Sequence, residues 1–368
     1  MTRILISGGG TGGHVFPAIA IANAIKRQAA DAEILFIGAR GKLEMEKVPA
    51  AGYPIRGLWI SGLQRRLTLK NLSFPFKVVW SLFTARQIIR SFRPAVVIGV
   101  GGYASGPTVR IAAGRKIPTL IQEQNSFPGI TNRMLAGKAD LICVAFEGME
   151  RFFPKEKVLL TGNPVRQDIL TNGEKRPQAL EYFGLKKDKS TVLVLGGSLG
   201  SRTINRSMLR CLEGDFARTG LQILWQTGNH YYEPVMSDPL TAAGKDLRIL
   251  PFIDRMDLAY AAADIIISRA GAIAISELCV IGKPVILIPS PNVAEDHQTK
   301  NAQALVNKEA VLMIPDAEAE EKLCGELAAL ACDGDLQKKL TKNIAALALT
   351  DAADRIAEEA LKMAGVKK

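Results

Sequence analysis

The sequence predicts an α/β protein made of two doubly wound, Rossmann-like parallel-sheet domains facing one another across a cleft, and three observations predict it. Short apolar strands alternate with helix-length segments. A strand, glycine loop and helix at the start of the chain recur near its middle, and a polar stretch separates the two runs. A chain of 368 residues suits two domains, and its 48% apolar content is enough for two cores.

In the first run the candidate strands are "RILIS", "EILFIG", "AVVIGV", "PTLIQE" and "LICVAF", spaced by lengths that fit crossover helices. After "RILIS", Val15, Ile19, Ala22 and Ile25 recur at helical spacing, so the glycines of "SGGGTGGH" lie on a strand-to-helix turn. Residues 163–190 are polar, charged and turn-rich, which marks a boundary. The pattern then restarts with "TVLVLGGSLGSRTIN" and continues through "LQILWQTG", "LRILPFI", "ADIIISRAG" and "PVILIPS". The expected domains are therefore 1–162 and 163–345. The closing segment 346–368, with "AADRIAEEALKMAG", is expected as a helix packing back on the first domain.

The charge is lopsided. Residues 1–162 hold 22 basic against 9 acidic residues, a net of +13, and residues 163–368 hold 25 against 27, a net of −2. From Lys47 to Gln122 there are twelve basic residues and no acid, which points to a polyanion or an anionic membrane as a partner of the first half. Within that stretch Phe74, Phe76, Trp80, Leu82 and Phe83 alternate with Arg65, Arg66, Lys70, Lys77 and Arg86, a pattern for membrane docking or for an amphipathic core helix. The N-terminal apolar run is too short for a secretory signal and no run reaches the length of a spanning helix, so a cytoplasmic protein is expected. Cys143, Cys211, Cys279, Cys324 and Cys332 form no C-x-x-C pair, and buried reduced thiols are expected rather than metal ligands or disulfides.

The first glycine loop is an anion site by its chemistry: glycines let a phosphate approach the backbone, and the helix start offers amides and partial positive charge. Gly8, Gly10 and Gly13 also satisfy G-x-G-x-x-G, with Glu33 about twenty residues on, which keeps a nicotinamide-dependent oxidoreductase open. His14 follows in the first helical turn, where the dipole favours a neutral ring able to accept a proton; a phosphate contact is the other reading. "GVGGYASGP" places Tyr103, and "QEQNSFPG" places Glu123 and Asn125, at strand ends on the same edge as His14. In the second half "LGGSLGS" offers amides and Ser198 for a diphosphate, with Arg166 as countercharge. Glu277 is a lone carboxylate in an apolar helix and needs donors, from a ribose or from a structural partner. Asp296 is placed as an N-cap that sets His297 and Gln298 in the first turn of a helix.

Together "GGGTGGHVFPA", "GVGGYASGP", "QEQN", "TGNPVR", "GGSLGS", "PFIDRM", "SRAGAIAISE" and "EDHQTKNA", in this order across nearly the whole chain, closely resemble the N-acetylglucosaminyltransferases of glycosyltransferase family 28, which convert lipid I to lipid II. The resemblance implies the GT-B fold and an inverting transfer from UDP-N-acetylglucosamine to the C4 hydroxyl of the muramyl sugar of lipid I, with no cofactor and no metal. It implies that Thr11, Gly12, Gly13, Asn125, Arg166, Ser198, Ile253, Ala272, Ile273, Ala274, Ile275, Ser276, Glu277 and Gln298 meet the donor. Gly10, His14, Tyr103 and Glu123 would meet the acceptor, with His14 the first candidate base and Glu123 the second. An N-terminal acceptor- and membrane-associating domain, a C-terminal donor domain, a peripheral place on the cytoplasmic face of the plasma membrane and cell-wall synthesis proteins as partners also follow, with no nucleic acid. Gln122, Leu199 and Ser201 depart from forms common in the family, at His, Gln and Ala positions. A related lipid glycosyltransferase with another acceptor and a non-catalytic nucleotide-sugar sensor are the remaining alternatives.

Overall fold

The structure is a computed structural model that describes residues 1–61, 74–169, 175–197, 199–214, 220–244 and 246–366. It divides into two compact units, Met1–Val165 with Thr350–Lys368, and Arg166–Leu349.

Unit 1 holds strands β1 (Arg3–Ser7), β2 (Glu33–Ala39), β3 (Ile55–Leu58), β4 (Val96–Gly99), β5 (Thr119–Glu123), β6 (Leu141–Val144) and β7 (Val158–Leu160). They form one parallel sheet in the order β3-β2-β1-β4-β5-β6-β7. Helices α1 (Gly12–Gln28), α2 (Glu44–Ala50), α3 (Phe74–Phe92), α4 (Ser105–Gly114) and α5 (Ile130–Leu135) make the crossovers. Because successive side chains on a strand face opposite ways, the sheet has two cores. Ile4, Ile6, Ile98 and Leu120 pack under Val15, Ile21 and Ile25 of α1. Leu5, Val97 and Ile121 pack with Val109 of α4, Leu135 of α5 and Ile89 of α3 on the other face.

Helix α3 buries only Ser81, Ala85 and Ile89. Phe76, Trp80 and Phe83 are 74%, 53% and 54% exposed, so the aromatic residues of this helix are largely outside the core. Arg65, Arg66 and Lys70 lie outside the described residues. Among the described residues no helix is long and apolar enough to cross a membrane.

Unit 2 repeats the plan. Helix α6 (Arg176–Phe183) leads into β8 (Thr191–Leu195), α7 (Arg202–Glu213), β9 (Gln222–Gln226), α8 (Asn229–Met236), α9 (Pro239–Ala243) and β10 (Leu247–Leu250). Then follow α10 (Met256–Ala262), β11 (Ile265–Ser268), α11 (Ala272–Ile281), β12 (Val285–Leu287), α12 (His297–Val306), β13 (Leu312–Met313), α13 (Ala319–Cys332) and α14 (Gly334–Ala345). The sheet is parallel in the order β10-β9-β8-β11-β12-β13.

The strands absent from the sequence reading are β3, β7 and β13, all at sheet edges. Central strands are covered on both faces and read as apolar runs, whereas an edge strand such as "IRGL" is half-exposed and carries no such signal. The cysteine expectation also needs correction. Helices α7 and α13 lie side by side and join Cys211 to Cys324, whose Cα atoms are 5.2 Å apart across 113 residues of sequence. Cys143 and Cys279 are buried thiols pushed up to about 12 by burial, and Cys332 is exposed.

The last helix, α15 (Ala352–Met363), belongs to unit 1 and packs on α1. Ile356, Ala357 and Ala360 join the core cluster of Ile21 and Ala22, and Arg27 Nη2 pairs with Asp354 Oδ1 at 2.6 Å on the rim. Replacing the buried Ile356 by alanine leaves a cavity in this seam. Ile356→Ala is expected to lower the stability of unit 1 by about 2–5 kcal/mol, read as a lower urea midpoint for that unit's transition.

Candidate active site

Each sheet reverses its strand order once, between β1 and β4 in unit 1 and between β8 and β11 in unit 2. At such a point the neighbouring crossovers leave to opposite faces, so the loops beyond the strand ends frame a crevice. His14 and Tyr103 in unit 1, and Ser201 and Arg269 in unit 2, lie on or beside the loops there.

In unit 1 the glycine loop leads from β1 to α1, which opens at Gly12 and Gly13 with Thr11 as an extended N-cap that makes no side-chain cap bond. The loop after β4 lies against it, and only glycine fits: a Cβ on Gly102 would stand 2.1 Å from the Gly9 carbonyl oxygen. A Cβ on Gly101 would stand 2.8 Å from Cε1 of His14, so the bare backbone there makes room for the imidazole. Tyr103, just beyond, is half-exposed.

His14 Nδ1 lies 3.1 Å from Gln124 Oε1. Burial holds the ring below its ordinary value of 6.5, against the Gln124 and Val100 hydrogen bonds and the Glu44 charge, which favour the protonated form. Gln124 is itself buried, and its Nε2 donates to the Val100 carbonyl at 2.9 Å and to Gln122 Oε1.

Two unit 1 expectations change. Glu123, the second candidate base, is buried and faces away from this cluster. Its oxygens accept from the Asn125 amide (3.0 Å), Asn125 Nδ2 (3.2 Å), the Gly129 amide (3.1 Å) and Asn132 Nδ2 (2.8 Å). Glu123 therefore organises the 124–132 segment through four donors, and burial pushes its carboxyl up against them. The second change concerns Gly10, whose amide already donates to Glu44 Oε2 at 2.8 Å while the Ala39 amide donates to Glu44 Oε1 at 2.8 Å. The anion in that part of the glycine loop is a side chain of the chain itself, Glu44.

In unit 2 the loop after β8 ends in Ser201, the N-cap of α7, whose Oγ accepts from the Ile204 amide at 3.2 Å. Ser198 lies outside the described residues. Arg269, just past β11, donates from Nη2 to Ser201 Oγ at 2.6 Å and pairs through Nη1 with Asp316 at 2.5 Å, tying the glycine loop to the rest of the edge. Beside it α11 begins at Ala272, with Ile273 and Ala274 half-exposed in its first turn, Ile275 buried and Ser276 donating to the Ala272 carbonyl.

Glu277 is buried in α11 and has two protein partners: Arg166 Nε donates to Oε1 at 2.9 Å and the Tyr260 hydroxyl donates to Oε2 at 3.0 Å. Burial still pushes its carboxyl up, against both partners. Arg166 keeps 45% of its side chain exposed and spends only Nε on Glu277, so its remaining guanidinium N–H groups can meet an anion. Gln298 in the first turn of α12 turns its carboxamide oxygen to the Ala270 and Ser290 amides, at 3.2 and 2.8 Å. Asp296 departs from the expected capping role. It sits at the N-cap in the left-handed region (φ 54°), after Glu295 at φ 53°, and its carboxylate accepts from the Thr299 hydroxyl instead of a backbone amide. Two successive left-handed non-glycine residues are strained, and strain of this kind gathers at ligand-binding segments. The Ile253 side chain is buried, which leaves its main chain as the part that can face a ligand.

Residues 4–144 match the glycosyltransferase family 28 N-terminal domain and residues 191–356 match the family 28 C-terminal domain. The chain belongs to glycosyltransferase family 28. This family 28 protein is 54% identical over 364 residues to the UDP-N-acetylglucosamine--N-acetylmuramyl-(pentapeptide) pyrophosphoryl-undecaprenol N-acetylglucosamine transferase of Bacteroides fragilis strain YCH46, covering 98% of this chain and 96% of the relative. It is 54% identical over 361 residues to the like-named protein of Parabacteroides distasonis, covering 98% of each. Among solved structures it matches that of Acinetobacter baumannii MurG with a TM-score of 0.79 at 28% identity, over 98% of this chain and 100% of that one. The UDP-GlcNAc 2-epimerase of Neisseria meningitidis, at 14% identity and a TM-score of 0.69, shares the fold. Two parallel α/β units with these relatives are the GT-B arrangement the motifs implied.

The residues missed in the sequence of this family 28 protein are Gln124, Glu44, Tyr260 and Arg269. Gln124 had a signal: it continues the face of Leu120 and Gln122 at period two, toward α1, while Glu123 continues the Ile121 face toward α5. Arg269 also had one, as a charge directly after the buried run "IIIS". Tyr260 is a lone hydroxyl in an apolar helix, and nothing in sequence joins it to Glu277. Tyr260→Phe leaves a buried carboxylate oxygen without its donor. The substitution is expected to cost unit 2 about 1–3 kcal/mol, measured by urea unfolding.

Proposed function

We propose that this chain transfers N-acetylglucosamine from UDP-N-acetylglucosamine to the C4 hydroxyl of the muramyl sugar of lipid I, with inversion, yielding lipid II for peptidoglycan. The observation that carries this reading is the 54% identity to the named transferases across 98% of the chain. UDP-N-acetylglucosamine and lipid I are substrates in it, and no resident cofactor is assigned.

The reading divides the work between the units. In unit 2 the Glu277 carboxylate, already oriented by Arg166 and Tyr260, takes the ribose hydroxyls on its remaining lone pairs, while Arg166 turns its unspent N–H groups to the diphosphate. The amides of the 196–201 loop, with Ser198, and the first turn of α11 at Ala272, Ile273 and Ala274 stabilise negative charge on departing UDP. Gln298, its oxygen held by two amides, presents its NH₂ to the sugar, and Ile253 offers its backbone to the base.

In unit 1 Thr11, Gly12 and Gly13 offer the start of α1 to phosphate oxygens, Asn125 faces the donor, and Tyr103 the acceptor. His14 Nε2 removes the acceptor proton as the C4 oxygen attacks the anomeric carbon; the bond to UDP breaks with its electrons going to the diphosphate. A ring held below 6.5 is neutral at neutral pH and so ready to accept.

Incubation of the purified protein with UDP-N-acetylglucosamine and a short-chain lipid I analogue is expected to add one N-acetylhexosamine to the lipid, seen by mass spectrometry. Tight donor binding without product would mean another lipid acceptor. His14→Ala is expected to lower kcat by about 10²–10⁴-fold, and near-full turnover at saturating substrates would remove His14 as base.

The exposed aromatic side chains of α3 support a peripheral seat on the membrane that carries lipid I, on its cytoplasmic side. Phe76, Trp80 and Phe83 would enter the interface while Arg86 and other basic residues of the acid-free stretch meet anionic headgroups, each worth about 1 kcal/mol near the surface. Trp80→Ser with Phe83→Ser is expected to weaken sedimentation with anionic vesicles and to spare turnover of a soluble acceptor analogue; unchanged sedimentation would refute this surface.

A further inference from the structure

We propose that Gln124 is a positioning residue for His14: its carboxamide oxygen, held toward the imidazole by a relay through Gln122 and Asn163, keeps the ring proton on Nδ1 and leaves Nε2 as the atom that accepts. The inference rests on His14 being the base and says what makes it one.

The relay is anchored on two main-chain carbonyls, which can only accept. Asn163 Nδ2 donates to the Gln124 carbonyl at 3.0 Å, so Asn163 Oδ1 is turned to Gln122, whose Nε2 donates to it at 2.9 Å. Gln122 therefore presents its own oxygen to Gln124. Gln124 Nε2 faces that oxygen and the Val100 carbonyl at 2.9 Å; turning the amide over would set its oxygen against two oxygens. With the nitrogen so fixed, Gln124 Oε1 is what stands 3.1 Å from His14 Nδ1, and an amide oxygen accepts only. Nδ1 must then carry the hydrogen, and a neutral imidazole has just one.

The relay matters because an imidazole in water prefers its proton on Nε2, the nitrogen needed bare for catalysis. Gln124 and Gln122 are 2% and 0% exposed, so water does not compete for these bonds. The choice of an amide has its own consequence. A carboxylate at position 124 would fix the same tautomer but would also stabilise the imidazolium, keeping the base protonated nearer neutrality. The charged group acting on the ring is Glu44, whose carboxylate is held by the Gly10 and Ala39 amides, and burial outweighs it. Gln122, which stands where the family commonly has His, is the member that completes the relay in this chain.

The chain has three histidines, His14, His230 and His297, so ¹⁵N-histidine labelling of the full-length protein gives separable ring signals, with His14→Ala identifying one set. At neutral pH the wild type is expected to show His14 as the Nδ1–H tautomer. Gln124→Met is expected to move it toward Nε2–H, to lower kcat by about ten- to a hundredfold, as loss of an orienting partner does, and to leave the KM for UDP-N-acetylglucosamine unchanged. The acid limb of the kcat/KM profile is expected to move to lower pH in Gln124→Met, because a bond favouring the imidazolium is gone. In Gln124→Glu it is expected to move to higher pH, with Nδ1–H retained. An Nε2–H tautomer in the wild type, or a tautomer and acid limb unmoved in both variants, would overturn the proposal. Full turnover by His14→Ala with Nδ1–H confirmed in the wild type would instead leave the tautomer assignment standing and end the reading of His14 as base.

Discussion

Parallel strands cannot be joined by tight turns, so each pair needs a crossover helix, and a sheet that grows outward in both directions from its first strand must reverse once. That constraint brings together the loops that surround His14 in unit 1 and those that carry Ser201 and Arg269 in unit 2. At the reversal beside β1 the loops after β1 and β4 stand next to each other, close enough that Gly102 can have no side chain. His14 owes its place to that contact, because the same backbone lets its ring lie against Gly101. At the reversal beside β8 the corresponding loops carry Ser201 and Arg269, joined by a 2.6 Å hydrogen bond. The two units use one geometrical device with different side chains in it.

What the device holds is polar and mostly dry, and three buried carboxylates show three answers to the cost of burying charge. Glu44 is satisfied by main-chain amides and stiffens the glycine loop from below. Glu123 takes four donors from the following loop and the start of α5. Glu277 has two side-chain partners among the described residues, one of them a half-exposed arginine. A buried carboxylate is thus not by itself a sign of function; the number and kind of its donors separate the roles.

The electrostatics of the polar clusters differ between the units. Around His14 the hydrogen-bond partners are neutral amides, and burial lowers the ring's affinity for a second proton against these bonds and the Glu44 charge. Around Glu277 the partners are the positively charged Arg166 guanidinium and the Tyr260 hydroxyl.

The sequence by itself determined the two parallel sheets, because doubly covered strands must be apolar throughout, and it marked the candidate loops, because glycine clusters and isolated charges stand out next to such strands. His14, Arg166 and Glu277 were legible on those grounds. Strands β3, β7 and β13 were not: β3 is interrupted by Arg56 and Gly57, and β7 and β13 are apolar but only three and two residues long. Tertiary structure alone decided how donors and acceptors are paired: that Glu123 turns to α5 while Gln124 turns to His14, that Glu44 already occupies the Gly10 amide, that Tyr260 reaches Glu277, and that Cys211 meets Cys324. A hydrogen bond depends on distances of a few tenths of an ångström between residues far apart in the chain, and local pattern carries no information on that scale.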